Sequence, residues 1–387
     1  MFELLFILLP VAAAYGFYMG KASVSSQRHD KQSKNNVTYL RGVEYLLNND
    51  KDRAVDKFIA YLNESDPSFE TSMALGHLFR QRGEVDKAIA LHEALSLNED
   101  MDQAQIELTK LELARDFLSA GLLDRAELIL EALVEIPRQR KNAASLLVTL
   151  YEYEHDYIKA IEASEKFKEE LGENGALKLA NFYCQLAIQD DNYADKNKVQ
   201  DYLKKALDVD KNCVRAMYYL SDLYIKDSDY EAALSLIKQI SLKDSDSGLI
   251  CLDLLKKIFV NKADLKYRVL LEDLVRRTLS SEAIVELVDV VELTSSNKDA
   301  QLLLTSYIKD RPNLKLFASL MRLRSKDLDA SGNEALLQLK SLVDAQIASS
   351  SQYTCHRCGF ESKMHFWQCP SCRRFNTIKA IRGLTGD

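Results

Sequence analysis

An alanine recurs along this chain at nearly constant intervals, and that spacing constrains the fold more than any other feature. The steps are 34 residues from Ala54 to Ala88, 38 to Ala126, 34 to Ala160 and 73 to Ala233. In these segments another small or short residue stands twelve positions earlier, followed three residues later by an aromatic side chain. A fixed period of this length is typical of a chain that stacks one supersecondary unit repeatedly.

A period of 34 with small residues at helix crossings is the tetratricopeptide pattern. We therefore predict an all-α, tetratricopeptide superhelical solenoid over residues 35–348, with seven or eight helix pairs between about 35 and 325 and a capping helix at 333–348. The step of 73 contains one degenerate repeat near Val199, and the register between 245 and 285 stays open. A non-repetitive helical bundle is the alternative.

Four cysteines near the end of the sequence form two Cys-x-x-Cys pairs. Cys355 and Cys358 make the first pair, and Cys369 and Cys372 follow after ten intervening residues. Each pair presents two sulfur atoms on one tight turn, so two such turns facing each other complete a tetrahedral metal site. The sequence therefore predicts a four-cysteine metal-binding domain over 349–387, with two disulfides as the alternative.

Residues 4–20 read LLFILLPVAAAYGFYMG and contain no charge. Seventeen residues make roughly 25 Å of helix, enough to cross a bilayer with little tilt. Only Glu3 is charged before this run, whereas a cleaved signal peptide, the alternative, begins with basic residues. Basic residues follow it, namely Lys21, Arg28, Lys31 and Lys34. The charge bias predicts a single-pass anchor over 1–20, a basic linker over 21–34 and a cytoplasmic remainder.

A cytoplasmic location keeps thiols reduced and so favours a metal over disulfides. Zinc and iron both suit four thiolates, and sequence does not choose between them. A closed site of this kind is structural, although a single iron held by four thiolates can also carry an electron. The remaining cysteines, Cys184, Cys213 and Cys251, are predicted to pack as small apolar residues in helices.

A helical solenoid presents a concave groove to peptides or extended protein segments. Residues on the first helix of each pair would face it, and in the second to fourth repeats we predict partner-binding positions at His77, Arg80, Arg115, Glu152 and Tyr153. Ordinary solvated side chains are the alternative at each position.

Motifs of catalysis are missing from the sequence: it contains no nucleophile elbow, phosphate loop, His-Glu-x-x-His or dinucleotide fingerprint. Residues 351–387 carry six basic and two acidic side chains on an otherwise acidic chain of net charge −7. So few basic residues make nucleic-acid binding a weak prediction. These features indicate a non-enzymatic adaptor, with a rubredoxin-type electron carrier as the alternative.

The three parts together resemble one family. The anchor LLPVAAAYGFYMG, the repeats GHLFRQRGEVDKAIALHEAL and AGLLDRAE, and the closing motifs CHRCGF, CPSCRRF and IKAIRGL are similar to lipopolysaccharide assembly protein B of Gram-negative bacteria. The resemblance covers nearly the whole chain. One departure from rubredoxin-like knuckles is Arg373, where a glycine often follows the second cysteine pair.

The resemblance implies an inner-membrane regulator of lipopolysaccharide biosynthesis whose bulk lies in the cytoplasm. It implies an adaptor for the membrane-anchored AAA+ protease FtsH that promotes degradation of the lipid A deacetylase. Other lipopolysaccharide assembly proteins are further implied partners, and a homodimer is compatible with the repeats. A general tetratricopeptide scaffold for envelope assembly enzymes is the alternative to the adaptor role. The metal ligands of the family carry over to Cys355, Cys358, Cys369 and Cys372.

Overall fold

The computed structural model describes residues 38–48, 50–64, 68–189 and 195–387. The predicted anchor and linker lie outside these residues, and among the described helices none is long and apolar enough to cross a membrane. The chain forms two compact units that meet in sequence between Asp156 and Tyr157. Each unit is a stack of consecutive antiparallel helices.

The described part of the first unit contains seven helices, joined by short segments of chain. Ser68 accepts a hydrogen bond from the Thr71 amide at the start of the third helix, and Asp102 forms a capping box with Gln105 at the start of the fifth. Side-chain acceptors here satisfy amides that have no partner within the helix. The helices are α1 (described part 38–47), α2 (Lys51–Glu64), α3 (Phe69–Arg82), α4 (Val85–Ser96), α5 (Gln103–Ala120), α6 (Leu123–Val134) and α7 (Arg140–Glu154).

Helices continue at the same spacing in the second unit. They are α8 (Tyr157–Lys166), α9 (Lys168–Gln189, interrupted at Gly172), α10 (Lys196–Val209), α11 (Val214–Lys226), α12 (Tyr230–Lys243), α13 (Gly248–Ile258), α14 (Leu265–Thr278), α15 (Ser281–Thr294), α16 (Asn297–Asp310), α17 (Leu314–Ser325) and α18 (Ala330–Ser349). A 3-10 turn, Ser245–Ser247, precedes α13. Alternate helices α9, α11, α13, α15 and α17 contact one another in turn, as the first helices of stacked pairs do.

The recurring alanines lie where helices cross. Ala54, Ala88, Ala126, Ala160 and Ala233 are all 0% exposed. A larger side chain at such a crossing would push the two helix axes apart, because interiors are close-packed. The predicted tetratricopeptide-type helical fold is confirmed, and the degenerate repeat also appears in the second unit as α10.

A small antiparallel sheet closes the described chain. Its strands are β1 (Tyr353–Cys355), β2 (Glu361–Ser362) and β3 (Ile378–Ala380), in the order β2-β1-β3. Tyr353 is opposite Ser362 on one side and Ala380 on the other, and Cys355 is opposite Ile378. With so few residues, this domain has only a small apolar core around the cysteines.

Candidate metal centre and groove

The two cysteine pairs fold into matching knuckles. In the first, the Gly359 amide donates to the Cys355 carbonyl at 2.9 Å, and the Cys355 amide donates to the Phe360 carbonyl at 2.7 Å. In the second, the Arg373 amide donates to the Cys369 carbonyl at 2.8 Å, and the Cys369 amide donates to Arg374 at 3.0 Å. The repeated pattern gives the two turns the same shape.

All four sulfur atoms of Cys355, Cys358, Cys369 and Cys372 lie within 4.8 Å of one another. Sγ of Cys355 is 3.7 Å from Sγ of Cys372, and Sγ of Cys358 is 3.6 Å from Sγ of Cys369. Bonds of about 2.3 Å to a tetrahedral zinc place sulfur atoms roughly 3.8 Å apart. The donor set therefore fits one tetrathiolate-bound metal ion, and the predicted cluster is confirmed.

Hydrogen-bond donors around the sulfur atoms favour thiolates. Burial raises the pKa of Cys355, but the Thr377 hydroxyl and the backbone amides of Cys358 and Arg357 outweigh it and lower that pKa to about 6. The Phe360 amide lowers the pKa of Cys358 in the same way. Burial raises the pKa of Cys369 to about 11, so this thiol requires the positive charge of a metal ion to ionise near neutral pH.

The residue that follows the second cysteine of each Cys-x-x-Cys pair has a left-handed backbone conformation. Gly359 has φ of 77° in the first knuckle, and Arg373 has φ of 54° in the second. A side chain at such a position is strained by contact between its Cβ and the following carbonyl. Arg373 nevertheless adopts the conformation that glycine would take, so the departure noted in the sequence leaves the knuckle geometry intact.

The metal-binding domain packs on the helices of the second unit. The ring of Phe375 meets that of Phe182 edge-on at 6.2 Å, and the Lys379 ammonium lies 2.7 Å from the Asp244 carboxylate. Arg382 is 3.0 Å from Asp246. A basic knuckle domain is thus held to an acidic helical stack by both aromatic packing and ion pairs.

Three of the predicted groove residues, His77, Arg80 and Arg115, join one charged cluster in the first unit. The Arg80 guanidinium donates to the Asp116 and Glu112 carboxylates, each at 2.6 Å, and one of its nitrogens is 2.9 Å from Nδ1 of His77. Arg115 reaches the other oxygen of Glu112 at 3.3 Å. Arg80 is therefore occupied by its own chain, and its side chain is only 11% exposed.

The other predicted positions differ in access. His77 is exposed, and the Arg115 side chain is 39% exposed with a buried Nε that has no hydrogen-bond partner. Tyr153 is half-buried, and Glu152 is only 4% exposed. The structure therefore brings His77, Arg80 and Arg115 together, and His77 and Arg115 are more exposed than Arg80.

One buried pair had no signal in the sequence. His92 and Asp116 are both 0% exposed, and Nδ1 of His92 lies 2.5 Å from the Asp116 carboxylate. The imidazole packs directly over Gly76, where an added Cβ would lie 2.3 Å from Nε2. Gly76 opens the space into which this histidine fits, and only the unusual pairing of a glycine with a histidine on the next helix could have suggested it.

Comparisons with known proteins agree with this architecture. The family model described as "Rubredoxin metal binding domain" matches residues 353–380, and a tetratricopeptide repeat model matches residues 71–105. Among solved structures, a MamA crystal structure is similar over 44% of this chain and 89% of its own, with 20% identity and a TM-score of 0.32. That likeness is too low to carry an argument.

Curated relatives match along the full length. Lipopolysaccharide assembly protein B of Escherichia coli K12 is 32% identical over 388 residues and covers 100% of both chains. The protein of the same name from Haemophilus influenzae is 34% identical over 395 residues, covering 98% of each. Identity at this level over the whole length, with both the repeats and the four-cysteine domain present, shows that the chain belongs to the lipopolysaccharide assembly protein B family.

Proposed function

We propose that this chain is an inner-membrane adaptor whose cytoplasmic bulk promotes degradation of the lipid A deacetylase by the membrane protease FtsH. The full-length relationship to proteins named for lipopolysaccharide assembly is the observation that carries the proposal. Stacked helix pairs support a role in binding other proteins, and a closed four-thiolate centre supports a structural use of the metal. The metal would stabilise a domain too small to fold on its own core.

The charged cluster on α3 and α5 would contact a partner chain. Arg80 already neutralises Glu112 and Asp116, so it serves the fold rather than recognition. The Arg115 side chain is 39% exposed and holds Glu112 through one guanidinium nitrogen, and the exposed His77 beside it contacts Arg80 and Gln81. We assign the contact to Arg115 and His77, which could donate to carbonyl or carboxylate groups of a bound segment.

The uncharged run at 4–20 would tether the adaptor beside its protease. Confinement to one membrane raises the effective concentration of two weakly binding proteins without any new contact. A chain without residues 1–20 should therefore accumulate as a soluble protein that fails to complement at native expression.

The test is the half-life of the lipid A deacetylase after protein synthesis is blocked, in cells with and without this chain. The proposal requires a longer half-life on depletion, restored by the wild-type chain. Arg115→Ala should restore it poorly, whereas Arg138→Ala, which removes an exposed arginine from a turn of the same unit, should restore it fully. An unchanged half-life on depletion would overturn the adaptor proposal in favour of a general membrane-tethered scaffold.

A further inference from the structure

Residues 381–387 run across the starting ends of three successive helix pairs. Arg382 reaches Asp246 in the turn before α13, Asp387 reaches the start of α15, and Gly383 and Gly386 reach Asn313 before α17. The first residues of these helices are 248, 281 and 314, so both steps are 33 residues. The segment therefore meets the same position of the repeat three times.

The Asp387 carboxylate is the deepest point of this contact. Its Oδ1 accepts hydrogen bonds from the Ser280 hydroxyl at 2.8 Å, the Ser281 hydroxyl at 3.1 Å and the Glu282 amide at 3.2 Å. Its side chain is 1% exposed. A negative group at the first turn of a helix is also favoured by the helix dipole. A side chain 105 residues away thus caps α15.

Backbone groups extend the contact to α17. The Leu314 amide donates to the Leu384 carbonyl at 2.8 Å, and Nδ2 of Asn313 donates to the carbonyls of Gly383 and Gly386 at 2.8 and 3.1 Å. Asn313 is only 4% exposed. Because a buried amide left without acceptors is costly, these bonds select one conformation of the segment.

Two glycines allow residues 381–387 to adopt the conformation that contacts these helices. The Asp387 amide donates to the Ile381 carbonyl at 2.7 Å, which closes a tight loop. A Cβ on Gly386 would lie 1.9 Å from that carbonyl oxygen, and Gly383 has φ of 127°, a conformation open essentially to glycine alone. The loop cannot form with an ordinary side chain at 386.

This loop is joined directly to the metal centre. It continues from β3, where Ile378 pairs with Cys355, and the Ile381 amide donates to the Gln352 carbonyl at 2.9 Å. Only Lys379 and Ala380 separate Ile378, which pairs with Cys355, from the first residue of this loop, so a loss of order at the cysteine cluster would act on residues 381–387 at short range.

We propose that residues 381–387 form an intramolecular clasp that makes metal binding and the order of the α15 and α17 starting turns one cooperative unit. In the intact chain the metal-bound cysteines order the two knuckles, the pairing of β1 with β3 positions the clasp, and Asp387 caps α15 together with Ser280. Losing the metal should release the clasp and leave Ser280 as the remaining cap of α15, whose first residue lies more than seventy positions before Cys355. The reverse also holds, because coupling between two sites is reciprocal.

Hydrogen exchange of the full-length, metal-loaded chain tests the forward direction. After removal of the metal by a chelator, the Glu282 amide, whose acceptor is the charged Asp387 carboxylate, should exchange at least about ten-fold faster. The Leu314 amide, whose acceptor is the neutral Leu384 carbonyl, should exchange about two- to ten-fold faster. Amides within α5, in the other unit, serve as the internal reference. Unchanged exchange at Glu282 and Leu314 while the knuckles exchange faster would overturn the proposal.

Metal release to a chromophoric chelator tests the reverse direction. Asp387→Ala should speed release by about ten-fold. Asp329→Ala is the matched control, because Asp329 caps α18 through the Gly332 amide at 3.0 Å and does not touch the clasp. Gly386→Ala should also speed release while leaving the capping carboxylate in the chain, and Asp387→Asn, which keeps an acceptor oxygen, should have a smaller effect. Equal release rates for Asp387→Ala and Asp329→Ala would refute the coupling.

Discussion

The indole of Trp367 packs against the ring of Tyr218 on α11, with ring centroids 5.7 Å apart. The ring centroid of Tyr219 lies 6.2 Å from that of the same indole. Trp367 is the single tryptophan of the chain. Its fluorescence therefore reports whether the metal-binding domain is seated on the helices, without any introduced label.

Reversing one ion pair should loosen this seating. Lys379→Glu places a carboxylate beside Asp244, which now accepts from the ammonium at 2.7 Å, and should cost about 1 to 2 kcal/mol. Trp367 emission should shift to longer wavelength, and adding Asp244→Lys should restore it. Lys340→Glu, which breaks a pair within α18, is the control. Failure of the double variant to recover would mean that the pair does not contribute to seating.

Acid should weaken the same contact through His365, whose ring lies 4.7 Å from that of Trp367. Burial, and then the charge of Lys379, lowers the pKa of His365 from 6.5 to about 4, while Asp244 acts in the opposite direction. The folded state therefore favours the neutral ring. The neutral ring contributes its full stability above about pH 6.5, and this stability is lost as the pH falls towards 4. The loss amounts to about 2 kcal/mol by pH 5.

The measurement is Trp367 emission between pH 7.5 and 5.5, a range chosen to limit acid release of the metal. His365→Phe should flatten the profile, because phenylalanine fills the site and does not titrate. An identical profile in the variant would assign the acid response to other groups.

Gly76→Ala should destabilise the first unit. The new Cβ would lie 2.3 Å from Nε2 of His92, and the ring cannot retreat because Asp116 holds its other nitrogen. Overpacking of this kind costs about 1 to 3 kcal/mol. In denaturant unfolding, Gly76→Ala should cost less when His92→Ala is already present. Additive losses would show that the crossing adapts in another way.

Arg80→Ala should destabilise the first unit rather than only remove a partner-binding side chain. It would leave Asp116, which is 0% exposed, without its guanidinium partner, and breaking such a buried pair costs about 3 to 5 kcal/mol. Arg82→Ala, which removes a more exposed arginine from the same helix, should have a much smaller effect, because ion pairs at the surface contribute little to stability. Thermal unfolding of the two variants compares their losses of stability. Similar stabilities would return Arg80 to the set of partner-binding candidates.

The knuckle turns should respond in opposite ways to changes at equivalent positions. Gly359→Ala puts a Cβ at φ of 77° and should weaken metal binding by about five-fold, or roughly 1 kcal/mol. Arg373→Gly relieves the strain at φ of 54° and should bind as tightly as wild type or more so. Arg374→Gly controls for the lost charge, and competition with a chelator gives the affinities. Unaltered binding in Gly359→Ala would mean that the turn adjusts.

Local patterns in the sequence were enough to predict the helical repeat and the metal ligands. The alanine period reports helix crossings because only a small side chain fits there, and Cys-x-x-Cys spacing reports a turn because both sulfur atoms must point at one ion. The alanine spacing recurs from one segment to the next and the four cysteines all lie within residues 355–372, so both signals can be recognised without knowledge of the folded whole.

Only the tertiary structure decided which residues contact each other when they are far apart in the sequence. Arg80 meets Asp116 across 36 residues, Lys379 meets Asp244 across 135, and Asp387 meets Ser280 across 107. A charged or polar residue carries no mark of which opposite group will face it, because that depends on how helices stack and where the small domain docks. The sequence by itself determined the repeating unit and the metal site, whereas stacking determined which candidate arginine is buried and which is exposed, and how residues 381–387 close over three helix pairs.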